Sequence, residues 1–112
     1  MSQSYLDLVR DLQNQIVTLQ TSLSNQDELA IALVKDWQRS QKEIQTFFQT
    51  KIVNTALEVT PQNLSLQVEI DKQLKMLGVD LTMLQTSRNP ATWQKRHQQA
   101  CDRLTRLQRY CD

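Results

Sequence analysis

The sequence predicts an all-α fold: an antiparallel helical bundle, or a long helical hairpin, of about four helices in one domain spanning residues 1–112. Three observations carry this expectation. Apolar residues recur at alternating steps of four and three in separate stretches, which places them on one stripe of an α-helix seated against other helices. The chain holds one Gly and two Pro, a composition with little turn chemistry that favours helices joined by few, short connections. Each Pro follows a good capping residue, in Thr60-Pro61 and Asn89-Pro90. That order puts Pro in the first helical turn, where its missing N–H costs nothing.

The first helix opens at Ser2 or Ser4 as N-cap, with Asp7 in its first turn, where the helix dipole favours a carboxylate. Tyr5, Val9, Leu12, Ile16, Leu19 and Leu23 form its seam. Residues 21–27 are poor in strong helix formers, and Asn25 followed by Glu28 resembles a capping box for a second helix. This reads as a break. The alternative is one helix of about 55 residues, because the 4-3 phase carries through Gln26 to Ala30, Leu33 and Trp37 with no Gly or Pro in the way.

The second helix covers residues 26–58, with apolar marks at Leu29, Ala30, Leu33, Val34, Trp37, Ile44, Phe47, Phe48, Ile52, Val53, Ala56 and Leu57. Between Trp37 and Ile44 no residue is apolar, so this middle is bare to solvent, bent, or covered by a second chain. At about 50 Å against about 30 Å for the first helix, one end overhangs unless the helix bends. An overhang bearing Phe47, Phe48 and Ile52 needs a partner helix, from this chain or another.

After Thr60-Pro61, residues 64–70 alternate apolar and polar, the strand period. A lone strand has no partner here, so helix is the preferred reading, with an irregular first turn. Ile70, Leu74, Leu77, Leu81 and Leu84 then form the third seam, with Gly78 beside it. Gly costs about 1 kcal/mol relative to Ala inside a helix, and close approach of a neighbouring helix is the expected reason for it. After Asn89-Pro90 the fourth helix shows Trp93, His97, Ala100, Leu104, Leu107 and Cys111. Trp37 and Trp93 read as core anchors.

The 13.1 kDa chain carries a net charge of +1, so its overall field selects no class of partner. The distribution is more informative. Residues 1–34 set Arg10 against Asp7, Asp11, Asp27 and Glu28, a balance of −3. Residues 88–112 set Arg88, Lys95, Arg96, Arg103, Arg106 and Arg109 against Asp102 and Asp112, a balance of +4. Arg96, Arg103 and Arg106 share a face of the fourth helix, Lys95 and Arg109 flank it, and Arg88 precedes it. Arg88, Arg96, Arg103, Arg106 and Arg109 are therefore the candidate partner-binding residues. The competing reading pairs them with the acidic first helix. Nucleic acid is not expected, since the chain is nearly neutral and shows no reading motif.

No catalytic constellation emerges. With one His, no glycine-rich turn and no clustered carboxylates, neither a triad nor an acid–base pair can be assembled, and an enzyme is not expected. His97 and Cys101 stand four apart, but a closed zinc site needs four ligands; no metal or other cofactor is expected. Cys101 and Cys111 lie about 15 Å apart along one helix, beyond the roughly 7 Å that a disulfide spans. Two free thiols suit a reducing compartment, and the alternative use for them is redox or metal sensing. The N-terminus meets Asp7 before any apolar core and does not read as a signal peptide. The longest apolar run, residues 29–34, is too short to span a bilayer. The expected location is the cytoplasm.

The run KQLKMLGVDLTMLQTSRNPATWQKR at residues 72–96, followed by DRLTRLQRYC at residues 102–111, resembles the cyanobacterial heterocyst frequency control family, PatD. The matching positions are Leu74, Leu77, Asp80, Leu84, Gln85, Arg88, Thr92, Arg96, Arg103, Leu104, Tyr110 and Cys111, with Met83 where Phe is expected and Ser87 where Ala is expected. The resemblance is confined to the C-terminal part of the chain. It implies a small all-helical cytosolic protein that binds the tubulin-like division protein FtsZ and affects filament assembly, linking cell division to heterocyst frequency. A homo-oligomeric coiled-coil scaffold for another protein partner is the alternative. The arginine face rests on charge and is not a site carried over from that family.

Overall fold

A computed structural model of the protein describes residues 4–26, 31–53 and 60–112. Over these residues the chain forms α1 (Tyr5–Ser24), α2 (Ile31–Phe47) continuing into a π-helical stretch (Phe48–Val53), α3 (Pro61–Thr86) and α4 (Pro90–Cys111), with no strand among them. The body measures 47 × 25 × 19 Å. Helices pack α1 on α2, α2 on α3, α3 on α4 and α4 on α1, closing an antiparallel four-helix bundle.

The ends follow from cap chemistry. Ser4 accepts from the Asp7 N–H at 3.2 Å, Thr60 from Asn63 N–H at 3.1 Å, and Asn89 from Ala91 N–H at 2.8 Å. Each satisfies a donor that the first turn leaves without a helical partner. Ser2, the other cap expected, lies outside the described residues. Residues 64–70 are helical, and the apolar members of the alternating run, Leu64, Leu66 and Val68, are exposed while Gln67 and Ile70 turn inward.

The chain does break after α1. Asn25 ends that helix with its N–H on the Thr21 carbonyl at 3.2 Å, the Gln26 N–H takes the Leu23 carbonyl at 3.1 Å, and Trp37 Nε1 donates to Ser22 Oγ at 2.9 Å. In one continuous helix these residues would stand about 22 Å apart, so the 55-residue alternative fails. The capping-box reading of Asn25 also fails at that residue. Its backbone is αR, with φ −81° and ψ −2°, whereas an N-cap residue is extended. Asp27, Glu28, Leu29 and Ala30 lie outside the described residues, as do Ala56, Leu57 and Glu58 at the far end of the expected second helix.

Leu12, Ile16, Leu19 and Leu23 of α1, Val34, Trp37, Ile44, Phe48 and Ile52 from the second helix, Ile70, Leu74, Leu77, Leu81 and Leu84 of α3, and Trp93, Ala100, Leu104 and Leu107 of α4 make one core. Full burial of a side chain of this size stabilises by about 1.5–3 kcal/mol. At the start of α1 the register differs slightly from expectation: Leu8 is buried, while Tyr5 and Val9 pack at its margin.

The middle of α2 is neither bare nor bent. Gln41, at 4% exposure, takes the seam position between Trp37 and Ile44. Its Nε2 donates to the Leu74 carbonyl at 2.9 Å and to Gln45 Oε1 at 2.8 Å. Gly78 lies directly opposite, and a Cβ there would meet the Gln41 amide at 3.3 Å. The glycine thus leaves room for a side chain of the facing helix, as its position predicts. The π-helical turn then moves Ile52, rather than the exposed Lys51, onto the seam, because the wider i→i+5 turn shifts the phase. Phe48 and Ile52 are fully enclosed by the chain itself, so these two residues do not need a second chain to cover them.

Candidate functional site

α3 and α4 run antiparallel through a tight connection at residues 87–89. Ser87 Oγ donates to the Met83 carbonyl at 2.7 Å, which finishes α3, and Asn89 begins α4. Midway along the pair, Arg103 Nε meets Asp80 Oδ2 at 2.6 Å and its Nη1 donates to Gln73 Oε1 at 2.6 Å. The Arg103 and Asp80 side chains are only 15% and 12% exposed, so this is the most enclosed ion pair among the described residues. Removing either partner would leave a poorly hydrated charge.

The five arginines proposed from sequence are therefore not equivalent. Arg103 is held against α3 and serves the fold. Arg96, two turns back toward the N-terminus of α4, lies half-buried with its guanidinium on the Met83 thioether. Arg88, Arg106 and Arg109 are exposed, as is Lys95. The acidic first helix is not where Arg103 finds its partner. The interhelical bonds between α1 and α4 that stand out are made by other groups: Gln13 to Asp112, Gln20 to Thr105, and His97 to the Leu23 carbonyl.

Charge reading alone missed the apolar component of this surface. On the outer side of α3, Val68 is 66% exposed and Val79 55%, with Met76 and Met83 at 39% and 40%. Met76, Val79 and Met83 follow one another at steps of three and four, the spacing of one helical face. Arg103 Nη1 lies 3.5 Å from the Met76 sulfur and the Arg96 guanidinium rests on the Met83 sulfur, so these two arginines of α4 border the stripe. The signal was present in the sequence: α3 has apolar residues well off its inner seam, whereas a surface helix ordinarily keeps that face polar. Once the pairs Arg103–Asp80 and Lys75–Asp71 are set aside, α3 and α4 present Lys72, Arg88, Lys95, Arg96, Arg106 and Arg109 against Glu69, Asp102 and Asp112. The balance over this half of the chain is basic, and the exposed apolar stripe lies on α3.

Two other places were weighed. His97 stacks on Trp93 with centroids 4.8 Å apart, lies 6.1 Å from the Trp37 ring, and sets Nε2 2.7 Å from the Leu23 carbonyl. A carbonyl only accepts, so Nε2 carries the proton and closes off a carbonyl in the last turn of α1. The Cys101 Sγ is 4.0 Å from that nitrogen, and no group of three metal-ligating side chains forms among the described residues. Burial pushes the Cys101 thiol up despite a lowering hydrogen bond from Ser24, and burial with the neighbouring Asp112 charge pushes Cys111 up to about 11. Neither is an activated thiolate. The second place is an open cleft of about 420 Å³ between α1 and α2, with Leu19, Trp37 and Ile44 at its floor and Asn14, Thr18, Ser40 and Glu43 on its walls.

No described helix is long and apolar enough to cross a membrane. No family model, curated protein or solved structure matches the chain.

Proposed function

We propose that the protein is a non-enzymatic helical adaptor of the cytoplasm that binds a protein partner on the outer face of α3 and α4. One observation carries the reading: an exposed apolar stripe at helical spacing, edged by Arg96 and Arg103, on two helices pinned to each other by an enclosed ion pair. Exposed apolar surface rimmed by polar groups marks interaction sites, and a rigid seat lowers the ordering cost of binding. The resemblance of residues 72–111 to the heterocyst frequency control family makes FtsZ the partner to test, with modulation of its filament assembly, and hence of cell division and heterocyst frequency, as the consequence.

The test is co-sedimentation with FtsZ polymers. Reversing Arg88, Arg106 and Arg109 to Glu is expected to abolish co-sedimentation while leaving helicity intact. Arg103 is left out of the set, because a carboxylate there would face Asp80 and unfold the pair. Unchanged co-sedimentation of the triple variant would remove these arginines from the docking surface. Absence of binding by the unaltered protein would remove FtsZ as the partner.

A further inference from the structure

We propose that the Met76–Val79–Met83 stripe, extended toward the start of α3 by Val68, seats an amphipathic α-helix of another protein whose flanks carry Asp or Glu. This rests on the adaptor reading above and specifies the element that docks.

The inner seam of α3 already satisfies the bundle: Leu74, Leu77, Leu81 and Leu84 are fully buried. The outer stripe therefore contributes nothing to that core, yet it repeats the helical spacing on the opposite side. From Val68 to Val79 and Met83 it runs about 22 Å, four turns of a partner helix. Two of its members are Met, whose flexible, polarisable side chains adapt to the irregular surface of a docked helix. Arg96 and Arg103 line the edge toward α4 at Met83 and Met76. Lys72 and Lys75 lie on α3 itself, Lys75 in contact with Asp71 at 2.8 Å. With Arg103 and Lys75 paired to Asp80 and Asp71, the positive charge left beside the stripe is Arg96 at its α4 edge and Lys72, on α3 between Val68 and Met76, which selects carboxylates on a helix laid there.

The same charges argue against the other occupants. A two-fold contact between copies of this chain would set Lys72 and Arg96 against basic residues of the same patch, because an isologous interface is self-complementary only if its charges are. A bilayer seat is ordinarily built with Trp, Phe and Leu on its apolar face, and the stripe offers Val and Met.

The probe is a labelled synthetic peptide of about 18 residues, with a Leu seam at helical spacing and Glu on both flanks; a twin carries Lys on the flanks. Anisotropy with the full chain is expected to show micromolar binding of the Glu peptide, weakening with salt, and at least about tenfold weaker binding of the Lys twin. Both Val79 and Met83 are exposed, so the Val79→Glu/Met83→Glu variant should keep its melting temperature and lose at least about tenfold in affinity. Val79→Ala/Met83→Ala, which adds no charge, should lose less. Equal binding of the two peptides, or full binding by the Glu variant, overturns the proposal. So does stripe-dependent binding to anionic phosphatidylglycerol vesicles without peptide binding, or a stripe-dependent dimer in sedimentation. Run beside FtsZ co-sedimentation, the variants separate the two readings. Co-sedimentation kept by the stripe variant but lost on arginine reversal overturns the stripe and leaves the adaptor. Stripe-dependent peptide binding without co-sedimentation supports the stripe and removes FtsZ.

Discussion

The α3–α4 pair and the α1–α2 pair solve the same packing problem in opposite ways. Between α3 and α4 the polar groups sit in the seam: Arg103, Asp80 and Gln73 bond across it at 2.6 Å, and the connecting turn is capped on both sides. On its outer side α3 keeps an exposed apolar stripe. Between α1 and α2 the seam opens into a cleft with polar walls, and one side-chain bond, Trp37 to Ser22, crosses it among those resolved between the described residues. The difference teaches where a docking surface can be kept. An exposed apolar stripe is tolerable on a pair of helices that cannot slide, because rigidity keeps it from collapsing into the core.

The largest expected break in this contrast is at Arg103. Arg103→Ala should lower the unfolding free energy by about 3 kcal/mol in urea denaturation, since it strands Asp80 in a poorly hydrated place. Asp80→Ala should behave alike, and the double variant should cost less than the sum. As a control, Asp36→Ala breaks a pair whose side chains are 62% and 71% exposed and should cost at most about 1 kcal/mol. Additive losses at Arg103 and Asp80 would show that the seam is not pinned by charge.

The tryptophans give the next effect. Trp37 Nε1 is bonded to Ser22, whereas the buried Trp93 Nε1 has no acceptor among the described residues. Trp93→Phe should therefore be less damaging than Trp37→Phe by about 2 kcal/mol, one part from a bond kept and one from an unpaired donor removed. Equal losses would mean that ring volume alone matters at both places.

A smaller effect is expected at Gly78. Gly78→Ala gains about 1 kcal/mol of helix propensity, but the new methyl group would press on Gln41, which is tied to both Leu74 and Gln45. The variant should be slightly less stable than the parent. In a Gln41→Ala background the same change should stabilise by about 1 kcal/mol. A stabilised single variant would show that the Gln41 amide yields easily.

The last effect is absent at neutral pH and shows only on the alkaline side. Cys111 is raised from 9.0 to about 11 in the folded chain, so the fold keeps a proton that the unfolded chain releases. Its contribution to stability is complete below pH 9 and is lost as pH rises to 11. Subtracting the pH profile of Cys111→Ala from that of the parent should expose a loss in this window. A flat difference would place the thiol in contact with water.

Much of the helix layout was legible in advance. Thr60-Pro61 and Asn89-Pro90 start helices where expected, and the seams of α1, α3 and α4 turn inward, because caps and 4-3 spacing act over a turn or two of chain. Other features were not legible at that range. Gln41 sits on a seam position that looked like a polar gap, and only the Leu74 carbonyl and Gly78 on another helix explain it. Arg103 and Arg106 stand three residues apart on one helix and look alike in sequence, yet one meets Asp80 and the other faces water. The π-helical stretch that holds Phe48 and Ile52 in the core carries no Gly or Pro to announce it.

The sequence by itself determined that this is an all-α protein, where α1, α3 and α4 begin, and which stripes are apolar, since these follow from residue chemistry within a few positions. Only the tertiary structure decided that Arg103 belongs to the fold, that Met76, Val79 and Met83 remain exposed, and that Arg96 borders them at Met83. Those outcomes depend on the register of α3 against α4. A rotation of either helix by one residue would change which charges pair and which are presented.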